Sequence, residues 1–279
     1  MKLTKEEKQE INNSLRLTQE NYYTPQANEE YMSTSQFKDF LECEQHALCK
    51  LAGSYVEEKS KAMLVGSYVD AFISQDLDTF RMESPQIFKR DGTLLKDFEK
   101  AEEIIRAIEN DQVFMKYLGG EHQVIMTGTI QNVKFKIKVD SLLPNAIVDL
   151  KVMSSIKELV WVEKDGRNVR CDFVEAYGYD IQGAIYQEIV RQNTGKKLPF
   201  ILAVVSKEEE PDKELIQIDQ YYLDKALELV KEHCEHFDLV KQGIVVPNRC
   251  GKCPSCRKLK EVKEPISYQD FFGKEIENE

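Results

Sequence analysis

The chain has 279 residues with 38 basic and 49 acidic side chains, a formal charge of −11, and 42% hydrophobic residues. That length allows one elaborated domain with a substantial core, and the absence of repeats or low-complexity tracts excludes solenoids and long linkers. With no signal peptide and no apolar run long enough to span a membrane, the seven cysteines read as reduced thiols of a cytoplasmic protein, not as a secreted disulfide scaffold.

In chain order, residues 1–30 are polar, through Lys5-Glu6-Glu7-Lys8-Gln9-Glu10 and Tyr22-Tyr23-Thr24-Pro25, and read as an arm that orders on assembly. The main domain is expected over 31–264, followed by an acidic tail, 265–279. Helical patterns run from Ser35 to Leu51, Ala62 to Ile73 and Asp97 to Asn110. Val124–Met126 and Val133–Asp140 then read as two strands around the turn Gln131-Asn132. In the second strand Val133, Phe135, Ile137 and Val139 share an apolar face, and Lys134, Lys136, Lys138 and Asp140 share the other. A third strand, Ala146–Met153, carries Asp149 and Lys151 on one side and Val148, Leu150 and Val152 on the other. A helical block around Tyr177–Tyr186, a buried strand Phe200–Val205, its neighbour Leu215–Ile218 and a long helix Tyr222–Val240 complete the pattern. The fold class is α/β, a central mixed sheet flanked by helices.

An apolar strand has little reason to carry both Asp149 and Lys151, because buried ions are costly unless paired or metal-bound. A structural ion pair is the competing reading. The short connection Ser141–Asn145 brings Asp140 near both, so two carboxylates and an ammonium can converge. Two carboxylates and the Leu150 carbonyl suit Mg²⁺, or Mn²⁺, and Lys151 can orient water or stabilise charge on an attacked phosphate. Phosphodiester hydrolysis fits these parts. The net negative charge opposes a DNA-binding role, but total charge is not local charge. Lys134, Lys136 and Lys138, together with Arg249, Lys252, Arg257, Lys258 and Lys260, offer basic paths.

At Asp140 followed by Asp149-Leu150-Lys151 the chain resembles the PD-(D/E)XK nuclease superfamily. Gln182-x-x-x-Tyr186, on one helical face with Tyr179, resembles its RecB-like branch. Gly66-x-x-x-Asp70 stands where that branch carries Gly-x-x-x-His, and Val139 stands where a proline usually precedes the first aspartate. The resemblance implies Asp140, Asp149, Lys151, Gln182 and Tyr186 as catalytic residues, and Asp70, Asp140, Asp149 and Leu150 around the metal.

Cys250-Gly-Lys-Cys253-Pro-Ser-Cys256 places three thiols in one loop, a spacing that suits zinc or an iron–sulfur cluster with a fourth ligand from elsewhere. The segment Met32–Cys43 resembles the N-terminal segment of iron–sulfur nucleases of the AddB and CRISPR-associated groups. That resemblance implies Cys43 as fourth ligand, with Cys49 or Cys171 as alternatives, and a [4Fe–4S] centre, with zinc as the alternative, joining the N- and C-terminal segments. Cys234 reads as packing. The trio is more compact than the pattern of those groups.

The order of the blocks is similar to phage-type RecE C-terminal nucleases, the exodeoxyribonuclease VIII-like family. This implies Mg²⁺-dependent, 5′-to-3′ digestion of duplex DNA from a free end in phage or prophage recombination, in a bacterial or phage-infected cytoplasm. A RecT-type annealing protein is the implied partner, and a homo-oligomer is compatible. A CRISPR-adaptation nuclease and a non-catalytic, metal-stapled DNA-binding scaffold are the rival readings.

Overall fold

A computed structural model describes residues 15–164, 167–262 and 264–272. Residues 1–14 of the arm and 273–279 of the tail lie outside them. The mixed sheet comprises β1 (Met32–Ser33), β2 (Glu121–Ile130), β3 (Val133–Leu143), β4 (Ala146–Met153), β7 (Phe200–Ser206) and β8 (Lys213–Gln217). A separate hairpin pairs β5 (Val160–Lys164) with β6 (Arg167–Cys171).

The helices used below are α1 (Thr34–Glu42), α2 (Glu44–Leu51), α3 (Lys61–Ile73), α4 (Lys100–Glu109), α5 (Gln112–Leu118), α6 (Tyr179–Thr194), α7 (Gln220–Lys241) and α8 (Pro254–Lys258). No helix among the described residues is long and apolar enough to cross a membrane.

The alternation read in the strands holds, but β3 and β4 aim their apolar sides at different layers. Phe135, Ile137 and Val139 of β3 enter the core with Ile185 and Ile189 of α6 and Val230 of α7. Val148 and Leu150 of β4 enter the core with Val65 and Val69 of α3, Ile104 of α4 and Leu118 of α5. Asp149 and Lys151 therefore project toward the α6 layer.

β2 covers one edge of β3 from end to end. The other edge is shared, with β1 pairing in parallel at Phe135 and Lys136 and β4 pairing antiparallel only from Ser141 to Leu143. Residues 137–140 lie in the fork between those contacts. Where the β3–β4 ladder stops, the Asp140 carboxylate accepts the Leu150 amide at 2.9 Å, taking the place of a strand partner.

Two sequence expectations change in detail. The helix expected over Ser35–Leu51 is two helices, because Cys43 is extended (φ −168°, ψ 111°) and serves as the C-cap of α1 and the N-cap of α2. The polar segment 15–30 is laid against β3, with Ala27 fully buried and Tyr22 6% exposed. Lys136 Nζ donates to the Tyr22 carbonyl at 2.6 Å and to Asn28 Oδ1 at 2.7 Å.

α6 approaches the sheet closely because Gly183 has no side chain. A Cβ there would stand 2.6 Å from Phe200 Cδ1 and 2.8 Å from Leu223 Cδ2. Alanine favours a helix over glycine by about 1 kcal/mol, whereas overpacking costs about 1–3 kcal/mol. Gly183→Ala is therefore expected to lower stability by up to ~2 kcal/mol in denaturant titrations. An unchanged or higher midpoint would show that α6 is free to shift.

Candidate active site

The fork between β3 and β4 collects the charged residues singled out in the sequence. Asp70 on α3, Asp140 on β3, Asp149 and Lys151 on β4, and Tyr179, Gln182 and Tyr186 on α6 all line one cleft of about 540 Å³. Gln182 Nε2 donates to Asp149 Oδ1 at 2.6 Å, which fixes the carboxylate from the helix side. Lys151 forms an ion pair with Asp149 Oδ2, and its ammonium lies 5.0 Å from the centre of the Tyr179 ring. Tyr186 donates its hydroxyl to the Lys138 carbonyl at 3.0 Å, so it holds β3 beside α6. Leu150 is buried between its charged neighbours and lines a second opening with Asp70, Asp140 and Lys151.

The electrostatics follow from this crowding. Burial, then the neighbouring Asp149 and Asp70 charges, push the Asp140 carboxyl well above the usual carboxylate range. Burial and Asp149 also raise Asp70. Burial opposes the charge on Lys151, yet Asp149 and Asp140 together hold its pKa above the ordinary lysine value. Asp149 is 2% exposed, and its Oδ2 is paired with the Lys151 ammonium while its Oδ1 accepts from Gln182. Three mutually repelling carboxylates in one cleft suit a hard, oxygen-preferring divalent cation. Asp70, Asp140 and Asp149 would hold it, with the Leu150 carbonyl as the backbone candidate.

Several cleft residues carried no assigned role in the sequence. Lys38 reaches in from α1, donates to the Tyr177 carbonyl at 3.0 Å, and has its pKa lowered to about 8 by burial and by Lys151. Tyr22 and Tyr23 form part of the wall. A helix lysine and a tyrosine pair in a polar stretch show no periodic signal, so only the tertiary fold reveals them. The basic path expected along β3 is also reduced. Lys136 is 1% exposed and spent on Tyr22 and Asn28, and Lys134 pairs with Glu30 at 3.3 Å. Lys138 is left facing the cleft.

The cysteines form a second group. The sulfur atoms of Cys43, Cys250, Cys253 and Cys256 all lie within 4.8 Å of one another. Cys43 is 3.5 Å from Cys256 and 3.8 Å from Cys253, and Cys250 is 3.9 Å from Cys256. Burial opposes thiolate formation at Cys250, but the amides of Cys253 and Lys252 outweigh it and draw the thiol down to about 6. The donor set fits a thiolate-bound metal. Cys49 and Cys171 stand outside this group, and Cys234 is fully buried in the core.

The C-terminal loop is docked on α2 by polar contacts. Glu44 accepts the Asn248 amide at 2.7 Å, Asn248 Nδ2 at 3.1 Å and His236 Nε2 at 2.9 Å, and His46 Nδ1 meets Ser255 Oγ at 2.7 Å. Burial raises the Glu44 pKa, but the bonds from Asn248 and His236 prevail and leave it lowered from 4.5. A depressed folded pKa stabilises above the unfolded value, and that stability is lost as pH falls through the folded pKa. Glu44→Gln is thus expected to flatten the loss of stability below about pH 4.5 in acid titrations of unfolding. A slope unchanged from wild type would show that the latch does not act through this charge.

Residues 33–259 match a family model described as a PDDEXK-like domain of unknown function (DUF3799). The chain is also similar to a provisionally named exonuclease from Eubacterium rectale, known from a crystal structure. The two share 49% identity and superpose with a TM-score of 0.85, over 92% of this chain and 98% of that one. No curated protein matches the chain.

Proposed function

The chain belongs to the PDDEXK-like DUF3799 family, and from that premise we propose that it is a Mg²⁺-dependent deoxyribonuclease that digests duplex DNA from an end. One observation carries the reading, the convergence of Asp70, Asp140, Asp149 and Lys151 in a cleft where Gln182 fixes Asp149. Isolated structural ion pairs do not call for three crowded carboxylates beside one lysine.

Asp70, Asp140 and Asp149 would bind the metal, and Gln182 fixes the Asp149 carboxylate through Oδ1. Bound there, Mg²⁺ supplies Lewis acidity toward a phosphoryl oxygen and makes a coordinated water more acidic. Lys151 is held charged by its neighbours and stabilises negative charge building on the phosphate. Tyr186 positions β3, and with it Asp140. The intact set speaks against a non-catalytic scaffold. The 5′-to-3′ polarity, the RecT-type partner and the role in phage recombination rest on the RecE-like order of motifs.

The four thiolates are proposed to bind a structural metal centre. Two readings each have an observation behind them. The iron–sulfur nuclease resemblance of Met32–Cys43 favours [4Fe–4S]. The sulfur separations favour zinc, because a single ion bound at about 2.3 Å sets its tetrahedral sulfurs about 3.8 Å apart.

The enzymatic proposal is tested by incubating end-labelled linear duplex and covalently closed circular duplex with the protein and Mg²⁺. Loss of the label with the circle left intact is expected. Cleavage of the circle at a comparable rate would replace the exonuclease reading with an endonuclease.

A further inference from the structure

The segment 15–30 and the second opening have a use that follows if the nuclease reading of the cleft holds. We infer that Tyr23 is a base-stacking platform that delivers nucleic acid to the carboxylates as an unpaired strand end.

The segment is tied down on both sides of the tyrosine pair. Gln19 Nε2 donates to the Gln123 carbonyl at 2.7 Å, and Lys136 holds the Tyr22 carbonyl and Asn28. The Tyr22 ring is buried over the Lys136 ammonium at 4.6 Å and meets Tyr23 edge-on, with centroids 4.9 Å apart at 83°. Tyr23 is thus fixed from behind while 70% exposed in front. The other cleft aromatics are engaged: Tyr22, Phe40 and Tyr186 are buried, and Tyr179 lies against Lys151. The Lys138 ammonium sits 5.3 Å from the Tyr23 ring centre. An exposed ring with a cation over one face is a pairing that binds single strands, with the ring's other face taking a base and the cation its phosphate.

The cleft's shape points the same way. Its volume of about 540 Å³ is within the roughly 300–1,000 Å³ that encloses one drug-sized ligand. That admits a nucleotide or two, not a helix whose major groove alone is about 12 Å wide. A second opening of about 430 Å³ shares Asp70, Asp140 and Lys151 with the first and is lined by Ser67 and Lys207. Asp70 and Asp140 line both openings, so a single strand can enter past Tyr23 and leave beside Lys207.

The test uses the full chain carrying Asp149→Asn, which keeps substrate intact, and oligonucleotides with 2-aminopurine at the terminal position. Binding is expected to quench the fluorophore. Tyr23→Ala in the same background should abolish the quenching and weaken binding about 5- to 100-fold, the range expected from losing one stacked base, whereas Tyr23→Phe should retain both. In the wild-type protein, a duplex whose terminal pair is covalently crosslinked should be cut far more slowly than one with a frayed end. Equal quenching and affinity in Tyr23→Ala, or equal cutting of the crosslinked end, would overturn the platform. Absence of hydrolysis by wild type on every substrate would instead overturn the nuclease reading, since binding and quenching do not require cleavage.

Discussion

Asp149→Asn is expected to reduce DNA hydrolysis by at least about 10²–10³-fold, the loss typical of removing one strong electrostatic contributor to a transition state. The substitution keeps the side-chain shape and an oxygen for the Gln182 amide, and it removes the charge that faces Lys151. Breaking a buried ion pair can cost about 3–5 kcal/mol. Here the loss is offset, because Asp140 and Asp70 no longer repel a third carboxylate and Asp140 still supports Lys151. The variant should therefore remain folded by circular dichroism while its rate falls. A well-folded Asp149→Asn protein that digests DNA at the wild-type rate would remove this cleft from consideration as the catalytic site.

Cys256→Ser is expected to give the largest loss of stability. A metal held by the four thiolates would join Cys43 to residues in the 250s and so close a loop of roughly two hundred residues. By the chain-entropy argument such a closure contributes up to ~4–5 kcal/mol, a model-dependent ceiling taken from disulfides. For a domain of this size about 1 kcal/mol shifts the melting temperature by roughly 2–4 °C, so a fall on the order of 10 °C is expected in thermal melts. Cys256 is buried and 3.5 Å from Cys43, far along the chain from Asp149. Metal and acid-labile sulfide analysis of anaerobically purified wild type separates the two centres, iron with sulfide for [4Fe–4S] and one equivalent of zinc for a single ion. Metal-free wild-type protein that melts like metal-loaded protein would contradict the staple.

Much of the site was legible because its chemistry conflicts with its surroundings. Asp149 and Lys151 interrupt an apolar strand, and Asp140 ends a row of lysines. The spacing of Gln182 and Tyr186 puts both on one side of α6, where they meet Asp149 and Lys138. The cysteine trio and Cys43 come together as the motifs implied. Periodicity also marked β3, β4, β7, β8, part of β2 and α7.

What stayed hidden depends on contacts between distant segments. Alternation shows that a strand has two faces, not which layer each face meets, so the opposite orientation of β3 and β4 could not be read. The same limit concealed the fate of Lys136, whose ammonium is buried by a segment more than a hundred positions away. The break at Cys43 lies inside a continuous helical pattern and is set by its place between α1 and the docked C-terminal loop. The β5–β6 hairpin, with Trp161 65% exposed and under Arg170 at 5.5 Å, has an inner face of Val160, Val162 and Val169 that is only half-buried, so its pattern is weak.

The carboxylates in the β3–β4 fork are proposed to form a divalent-metal site that hydrolyses DNA. The site is tested most directly by following release of end label from linear duplex by metal-stripped protein before and after Mg²⁺ is restored, with Asp149→Asn alongside. No release is expected without Mg²⁺, prompt release by wild type on its addition, and none by the variant. Release that persists in excess chelator, or that Asp149→Asn matches, would contradict a catalytic metal site there.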